Sequence, residues 1–175
     1  RLDRLGIPLV EIRTDPDMQS PEQVKEVAEK IGLILRLTGK VKRGLGTIRQ
    51  DVNVSISKGN RVEIKGAQDL SHLARLVKNE VARQQNILWL SNKLKKIKIS
   101  KIKEITNILK RTKCKFISKE IKKGKIVLAI SLSNATGLLK KQLQPNQSFG
   151  AELAEIAINF GLGGIIHSDE LPAYG

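Results

Sequence analysis

Apolar and polar residues alternate most regularly between Arg49 and Lys65. Val52, Val54 and Ile56 share one parity, and Arg49, Asp51, Asn53 and Ser55 share the other. Val62 and Ile64 then interleave with Arg61, Glu63 and Lys65. Strand side chains alternate between two faces, so the pattern predicts a β-hairpin with one apolar and one polar face. The polar face gathers seven groups: Arg49, Asp51, Asn53, Ser55, Arg61, Glu63 and Lys65. A three-residue connection, Lys58-Gly59-Asn60, sets Ser57 opposite Arg61, Ser55 opposite Glu63 and Asn53 opposite Lys65, and keeps both apolar sets together. A two-residue loop splits them, because a slip of one residue inverts every side chain. The odd-length loop is therefore expected, with Gly59 or Asn60 at positive φ.

The same reading extends along the chain. Ile7–Arg13 predicts a short buried strand, followed by a turn at Thr14–Asp17. Ser20, Pro21 and Gln23 form a capping-box start for a helix. Its stripe is Val24, Val27, Ile31, Ile34 and Leu35, and Gly39 ends it. A long helix is expected from about Gln68 to Leu94, striped by Leu70, Leu73, Leu76, Val77, Val81 and Leu88. Ile102, Ile105, Ile108 and Leu109 predict a further helix, and Lys125–Leu132 a strand. Phe149–Phe160 predicts a helix with Leu153, Ile156 and Ala157 inward, ended by Gly161. Gly164–Ile166 predicts a last short strand. Mixed strands and helices without an internal repeat place the chain in the α+β class, with a boundary near residues 90–96.

Composition adds charge to this picture. The 175 residues carry a net charge of +15, and aromatic residues make up only 3%. Between Lys93 and Lys125, fourteen Lys/Arg face only Glu104 and Glu120. Such an excess fits a polyanionic partner such as a nucleic-acid backbone. It equally fits the lysine and isoleucine drift of an AT-rich genome on tolerant surfaces. The scarcity of aromatics argues against base stacking. Cys114 is the single cysteine, which excludes an internal disulfide and a cysteine metal cluster. No signal peptide or membrane-length apolar run is visible, so the cytoplasm is the expected compartment. The chain reads as a piece of a longer protein.

Several groups are candidates for chemistry. Glu11 stands inside the apolar run Leu9, Val10 and Ile12, where a buried carboxylate needs a partner or a metal. On an exposed strand face it needs neither. Asp15 and Asp17 suit turn and cap positions. Gly44-Leu45-Gly46 lacks the lysine spacing of a P-loop and serves as a turn. His72 has no second ligand one helical turn away. His167 with Ser168, Asp169 and Glu170 fits a hydrogen-bonded turn better than a catalytic triad.

The motifs Asp3-Arg4-Leu5-Gly6-Ile7-Pro8-Leu9-Val10-Glu11-Ile12, Pro16-Asp17-Met18, Thr38 through Ile56, and Arg61-Val62-Glu63-Ile64-Lys65-Gly66-Ala67-Gln68 resemble the GatB/GatE family. GatE, its archaeal branch, forms part of glutamyl-tRNA(Gln) amidotransferase. Phe149-Gly150-Ala151-Glu152-Leu153-Ala154 and Gly163 through Gly175 resemble the insertion domain that GatE shares with bacterial-type aspartyl-tRNA synthetases. The resemblance implies part of a catalytic cradle domain, a sheet with packed helices, over residues 1–92. It implies a smaller α+β insertion domain over 93–175. It also implies ATP- and Mg²⁺-dependent phosphorylation of the γ-carboxylate of glutamate on tRNA(Gln), followed by amidation with ammonia. The implied partners are the charged tRNA and an amidase- or asparaginase-like companion chain, with no membrane and no DNA. By the same resemblance Glu11 and Asp51 are metal ligands, Arg49 and Lys65 bind nucleotide, and Arg49, Asp51, Asn53, Glu63 and Lys65 are catalytic. Ser148 and Ala151 stand where the family leads one to expect basic residues. The alternative is a non-catalytic tRNA-binding module of the same fold.

Overall fold

The computed structural model describes residues 5–44 and 46–170. Asp3, Arg4, Leu45 and the final Leu171–Gly175 of the motifs above lie outside the described residues. Among the described residues, five α-helices and eight short strands follow one another, and their strand pairings are antiparallel. The fold is α+β. The chain divides into two compact units. One holds the chain up to Asp51 together with Lys65–Leu76, and the other holds Val52–Ile64 with Val77–Gly175. Among the described residues, no helix is long and apolar enough to cross a membrane.

In the first unit, helix α1 (Pro21–Leu37) starts as its sequence dictates. Ser20 Oγ accepts from Gln23 N–H, and the Gln23 side chain accepts from the Ser20 N–H in return. These bonds satisfy two donors that every helix start leaves unpaired. Gly39 follows the end at φ 67°. The buried positions of α1 are Ala28 and Gly32, while Ile34, expected inside, is 62% exposed. Ile7–Arg13 forms no strand, and its apolar side chains face solvent, with Leu9 77% and Val10 78% exposed. The expectation of a buried strand is therefore corrected. An apolar run becomes a strand only when a neighbour accepts its ladder, and none among the described residues does.

The second unit contains the hairpin of β1 (Val52–Val54) and β2 (Val62–Ile64). The register is Val52↔Ile64, Asn53↔Glu63 and Val54↔Val62. Both apolar sets share one side, as parity requires. The pairing nevertheless lies two residues away from the expected one, so Asn53 faces Glu63 and not Lys65. Helix α2 (Leu70–Leu94), which both units share, supplies the reason. Buried Gln84 donates through Nε2 to Val54 C=O at 3.1 Å and accepts through Oε1 from Ile56 N–H at 3.3 Å. The ladder thus stops at Val54, because a helix side chain takes the bonds that a third strand pair would have made. Ile56 C=O accepts from Gly59 N–H at 2.9 Å, and the positive φ falls on Lys58 (67°), not on Gly59 or Asn60. Gly59 is needed for a steric reason, since an added Cβ would strike Gln84 Oε1 and Ile56 Cγ1.

Gln84 belongs to a buried polar cluster. Its Nε2 also donates to Glu80 Oε1 at 2.9 Å, and Arg83 grips Glu80 with bonds of 2.8 and 3.0 Å. Burial pushes the Glu80 pKa up. Hydrogen bonds from Arg83 and Gln84, with the Arg83 charge, outweigh it and hold the carboxyl below its ordinary range.

The lysine-rich stretch also departs from expectation. Only Thr106–Leu109 (α3) is helical where a longer helix was predicted. Lys98–Ile99 (β3) pairs with Leu132–Ser133 (β6), and Lys103–Glu104 (β4) pairs with Leu128–Ala129 (β5). The two ladders belong to one ribbon with a one-residue slip, which breaks the strand expected over 125–132. Ile105 N–H and Thr106 Oγ1 extend it through bonds to Val127. Long-range pairing has overridden the helical spacing of Ile102, Ile105 and Ile108 without help from strand propensity, since Ile99 is the one β-branched residue among those paired.

Helix α4 (Lys115–Lys122) follows, then a hairpin of β7 (Gln142–Gln144) and β8 (Gln147–Ser148), which the apolar pattern does not announce. Its turn is Pro145-Asn146, with Asn146 at φ 62°. Ser148 caps α5 (Phe149–Asn159) through Ala151 N–H. In α5, Gly150 and Ala157 are buried, whereas Ile156 is 52% exposed and not inward. Gly164–Ile166 makes no strand, and Gly164 lies beside the Phe116 ring. Leu143 is fully buried, and Asn86 on α2 donates to its carbonyl at 3.1 Å.

Candidate functional site

In the second unit the polar residues of the hairpin, Asn53, Ser55, Arg61 and Glu63, are exposed, and in the first unit Arg49, Asp51 and Lys65 are exposed. Val54 is buried, and Val52, Ile56, Val62 and Ile64 are half-buried. In the second unit, Asn53 and Glu63 are direct cross-strand neighbours. In the first unit, Asp51 Oδ1 accepts the Gly66 N–H at 3.0 Å, and Oδ2 lies 4.0 Å from Lys65 Nζ. Gln50 C=O accepts from Ala67 N–H, so the chain stays paired here while Gly66 adopts φ 70°, a conformation that glycine enters without strain. This turn aims the Gly66 N–H at the carboxylate. Asp51 thereby keeps one oxygen tied to backbone and the other beside a cation. The pair is solvent-exposed and contributes little to stability. Its value is chemical: a carboxylate and an ammonium presented to solvent suit an anionic or metal-bound ligand.

Glu11 is placed differently. Its side chain is 69% exposed, and Oε1 accepts from Arg13 Nε at 3.0 Å. The reading of a buried carboxylate in need of a metal does not hold, because water and Arg13 already satisfy it. Among the described residues, no group of three or more His, Cys, Asp or Glu side chains is positioned to enclose a metal ion. Mg²⁺ does not need such a cage. It commonly takes one or two carboxylates and completes its shell with water and substrate phosphates. The hard carboxylate oxygens of Asp51 suit that limited role, whereas no hydrogen bond or ion pair among the described residues brings Glu11, bonded to Arg13, beside Asp51.

The remaining candidates are structural. Asp69 caps α2, accepting from Ser71 Oγ at 2.6 Å and Ser71 N–H at 2.9 Å. The Ser71 bonds hold its carboxyl below the usual range, and His72 Nδ1 sits 3.1 Å from its other oxygen. Thr47 Oγ1 donates to Gly44 C=O, as a turn does. The His167 side chain is buried, with Nε2 3.3 Å from Glu170 Oε2, and Asp169 accepts the Gly137 N–H. Part of the basic excess also serves packing. Lys93 and Lys141 lie 5.5 and 5.3 Å from the centre of the Trp89 ring. Glu80, Arg83 and Gln84, which hold the hairpin, are absent from the candidates that the sequence suggests. Their spacing puts them on one face of α2, but polar Lys78, Asn79, Gln85 and Asn86 flank them, so nothing in the sequence sets them apart.

Comparison with known proteins places these features. Residues 1–144 match the family described as the GatB/GatE catalytic domain. The chain belongs to the GatB/GatE family. Similar proteins carry the name of the E-type subunit of glutamyl-tRNA(Gln) amidotransferase. The Archaeoglobus fulgidus protein is 52% identical over 177 residues, covering 99% of this chain and 28% of the relative. The Methanocaldococcus jannaschii protein is 50% identical over 180 residues, with 99% and 28% covered. The Pyrococcus abyssi protein is 51% identical over 181 residues, with 100% and 28% covered. The chain thus spans about 28% of the length of these GatB/GatE relatives. The family match takes in both strands of the hairpin, α1, α2 and Asp51–Gly66.

Proposed function

We propose that this GatB/GatE chain carries part of the active centre that converts Glu-tRNA(Gln) into Gln-tRNA(Gln). The observation that supports this reading most strongly is the exposed Asp51 carboxylate of the first unit, held by the Gly66 N–H and set beside Lys65; in the second unit Asn53 and Glu63 are exposed cross-strand neighbours. The similarity to proteins named for this reaction gives these residues their chemistry.

In the first step a γ-carboxylate oxygen of the esterified glutamate attacks the terminal phosphorus of ATP. The bond to the ADP oxygen breaks, leaving an acyl phosphate. In the second, the lone pair of ammonia attacks the acyl carbon, phosphate leaves with the C–O electron pair, and nitrogen gives up a proton to solvent. Ammonia comes from an amidase-like companion chain. Phosphoryl transfer depends on positioning and charge neutralisation. Arg49 and Lys65 balance phosphate charge in this scheme. Asn53 and Glu63 orient the nucleotide or a neighbouring cation. By the family resemblance Asp51 and Glu11 would hold Mg²⁺, which would supply charge neutralisation at the phosphates. The Gly66 N–H and Lys65 fix the Asp51 carboxylate before the nucleotide arrives. The cytoplasm is the proposed place of action, with the charged tRNA and the amidase-like chain as partners.

The test uses the full-length protein that contains this chain, with ATP, Mg²⁺, ammonia and Glu-tRNA(Gln). Gln-tRNA(Gln) forms, ADP appears only when Glu-tRNA(Gln) is present, and hydroxylamine in place of ammonia traps the acyl phosphate as hydroxamate. Tight tRNA binding with neither ADP nor amide formation overturns the reading in favour of a non-catalytic tRNA-binding module.

A further inference from the structure

Helix α4 separates its residues sharply. Lys115, Ser118, Lys119 and Lys122 recur at three- and four-residue steps and share one face. Phe116, Ile117, Glu120 and Ile121 take the other. Lys115, Lys119 and Lys122 are exposed, and among the described residues none of them makes an ion pair. With Ser118 and Lys123 they line an open trough of about 460 Å³.

The one acid of the helix does not weaken this face. Glu120 turns away and is held by Lys123 Nζ at 2.7 Å and Lys125 Nζ at 2.5 Å. Hydrogen bonds from Lys123 and Lys125 lower its pKa to about 2, so it stays ionised and committed to them. Two lysines of the stretch are thus engaged by Glu120, and the three on the outer face remain available.

The geometry points to this lysine face of α4 as a docking surface for the phosphate backbone of an RNA strand, a contact independent of the residues assigned to the reaction. The three lysines form a line of charge roughly 10 Å long, from the 1.5 Å rise per residue. A linear array of point charges suits a linear polyanion. Lysine lacks the planar fork that reads base edges, and the trough has no aromatic lining, so contact is with phosphate and carries no sequence preference. A lipid surface is disfavoured. A membrane-binding helix needs apolar side chains that enter the bilayer opposite its polar face. Here Ile117 and Ile121 are half-buried, and the one exposed apolar side chain of the helix, Phe116 at 43%, has its ring edge beside Gly164.

The inference does not depend on the proposed reaction and is tested without it. The full-length protein that contains this chain is titrated with an unacylated tRNA transcript and with an unrelated single-stranded RNA of equal length, across a range of KCl concentrations. Lys115→Gln/Lys119→Gln/Lys122→Gln is compared with Lys40→Gln/Lys42→Gln/Lys78→Gln, which removes the same charge elsewhere. The α4 variant weakens binding of both RNAs by about 10- to 100-fold at about 0.1 M salt and flattens the salt slope by about 2. The control variant changes binding far less. Equal losses in the two variants assign the effect to net charge alone and overturn the surface. Unchanged binding in the α4 variant also overturns it. A third overturning result is binding to phosphatidylserine vesicles that depends on the α4 lysines while RNA binding does not. Circular dichroism of both variants confirms that the fold is retained.

Discussion

Asp51→Asn lowers the rate of ATP-dependent amide formation by about 10²–10³-fold while leaving stability close to that of the parent, the magnitude of removing one preorganised electrostatic group from a reacting centre. The substitution separates two roles that the structure combines in one side chain. Asparagine still offers an oxygen to the Gly66 N–H, which Asp51 accepts at 3.0 Å. It removes the charge that lies 4.0 Å from Lys65 Nζ. Steady-state amidation by the full-length protein, with a urea melt of the same preparation, checks both halves. Asp51→Ala loses the backbone bond as well and costs about 1 kcal/mol of stability besides. An unchanged rate for Asp51→Asn removes Asp51 from the reaction and leaves it a turn-forming residue.

Gln84→Leu destabilises the chain by about 3 kcal/mol. Leucine fills most of the volume but offers nothing to Val54 C=O or Ile56 N–H, and it withdraws one donor from Glu80. An unsatisfied buried polar group costs about 1–3 kcal/mol, and burial at the site is deep, Gln84 being 4% exposed. The urea midpoint should fall by about 1–2 M at the slope usual for small proteins. Hydrogen exchange at the Ile56 amide should accelerate more than exchange within α1, which lies outside the cluster. A loss below about 0.5 kcal/mol, the range of ordinary surface substitutions, refutes the role of Gln84 in holding the hairpin.

What the sequence revealed follows the distance over which each decision is made. The start of α1 depends on Ser20, Pro21 and Gln23, and the start of α5 on Ser148 and Ala151. These are neighbours, and the α1 cap stands where its pattern placed it. The two faces of the hairpin depend only on parity and were legible. Its register was not, because Gln84, 28 positions from Ile56, decides where the ladder stops. Ile102, Ile105 and Ile108 suggested a helix by spacing, yet pairing between Lys103 and Ala129 settled the matter from 26 residues away. Glu11 misled for another reason. A charge among Leu9, Val10 and Ile12 signals burial only if the run itself is buried, and this one is exposed. Among the candidate residues, Arg49, Asp51, Asn53, Glu63 and Lys65 were visible as an alternating set, whereas the Asp51–Gly66 bond needed coordinates.

Glu80 gives the hairpin an acid limit. It supports Gln84 as an ionised acceptor, and its pKa in the folded chain lies below the ordinary 4.5. A carboxylate so depressed adds its full stabilisation above that ordinary value and loses it as pH falls through the lower one. The loop from Ser55 to Arg61 is therefore expected to slacken as Glu80 takes up a proton. Tolerance of acid in this part of the molecule is set by a residue on the helix, out of reach of solvent.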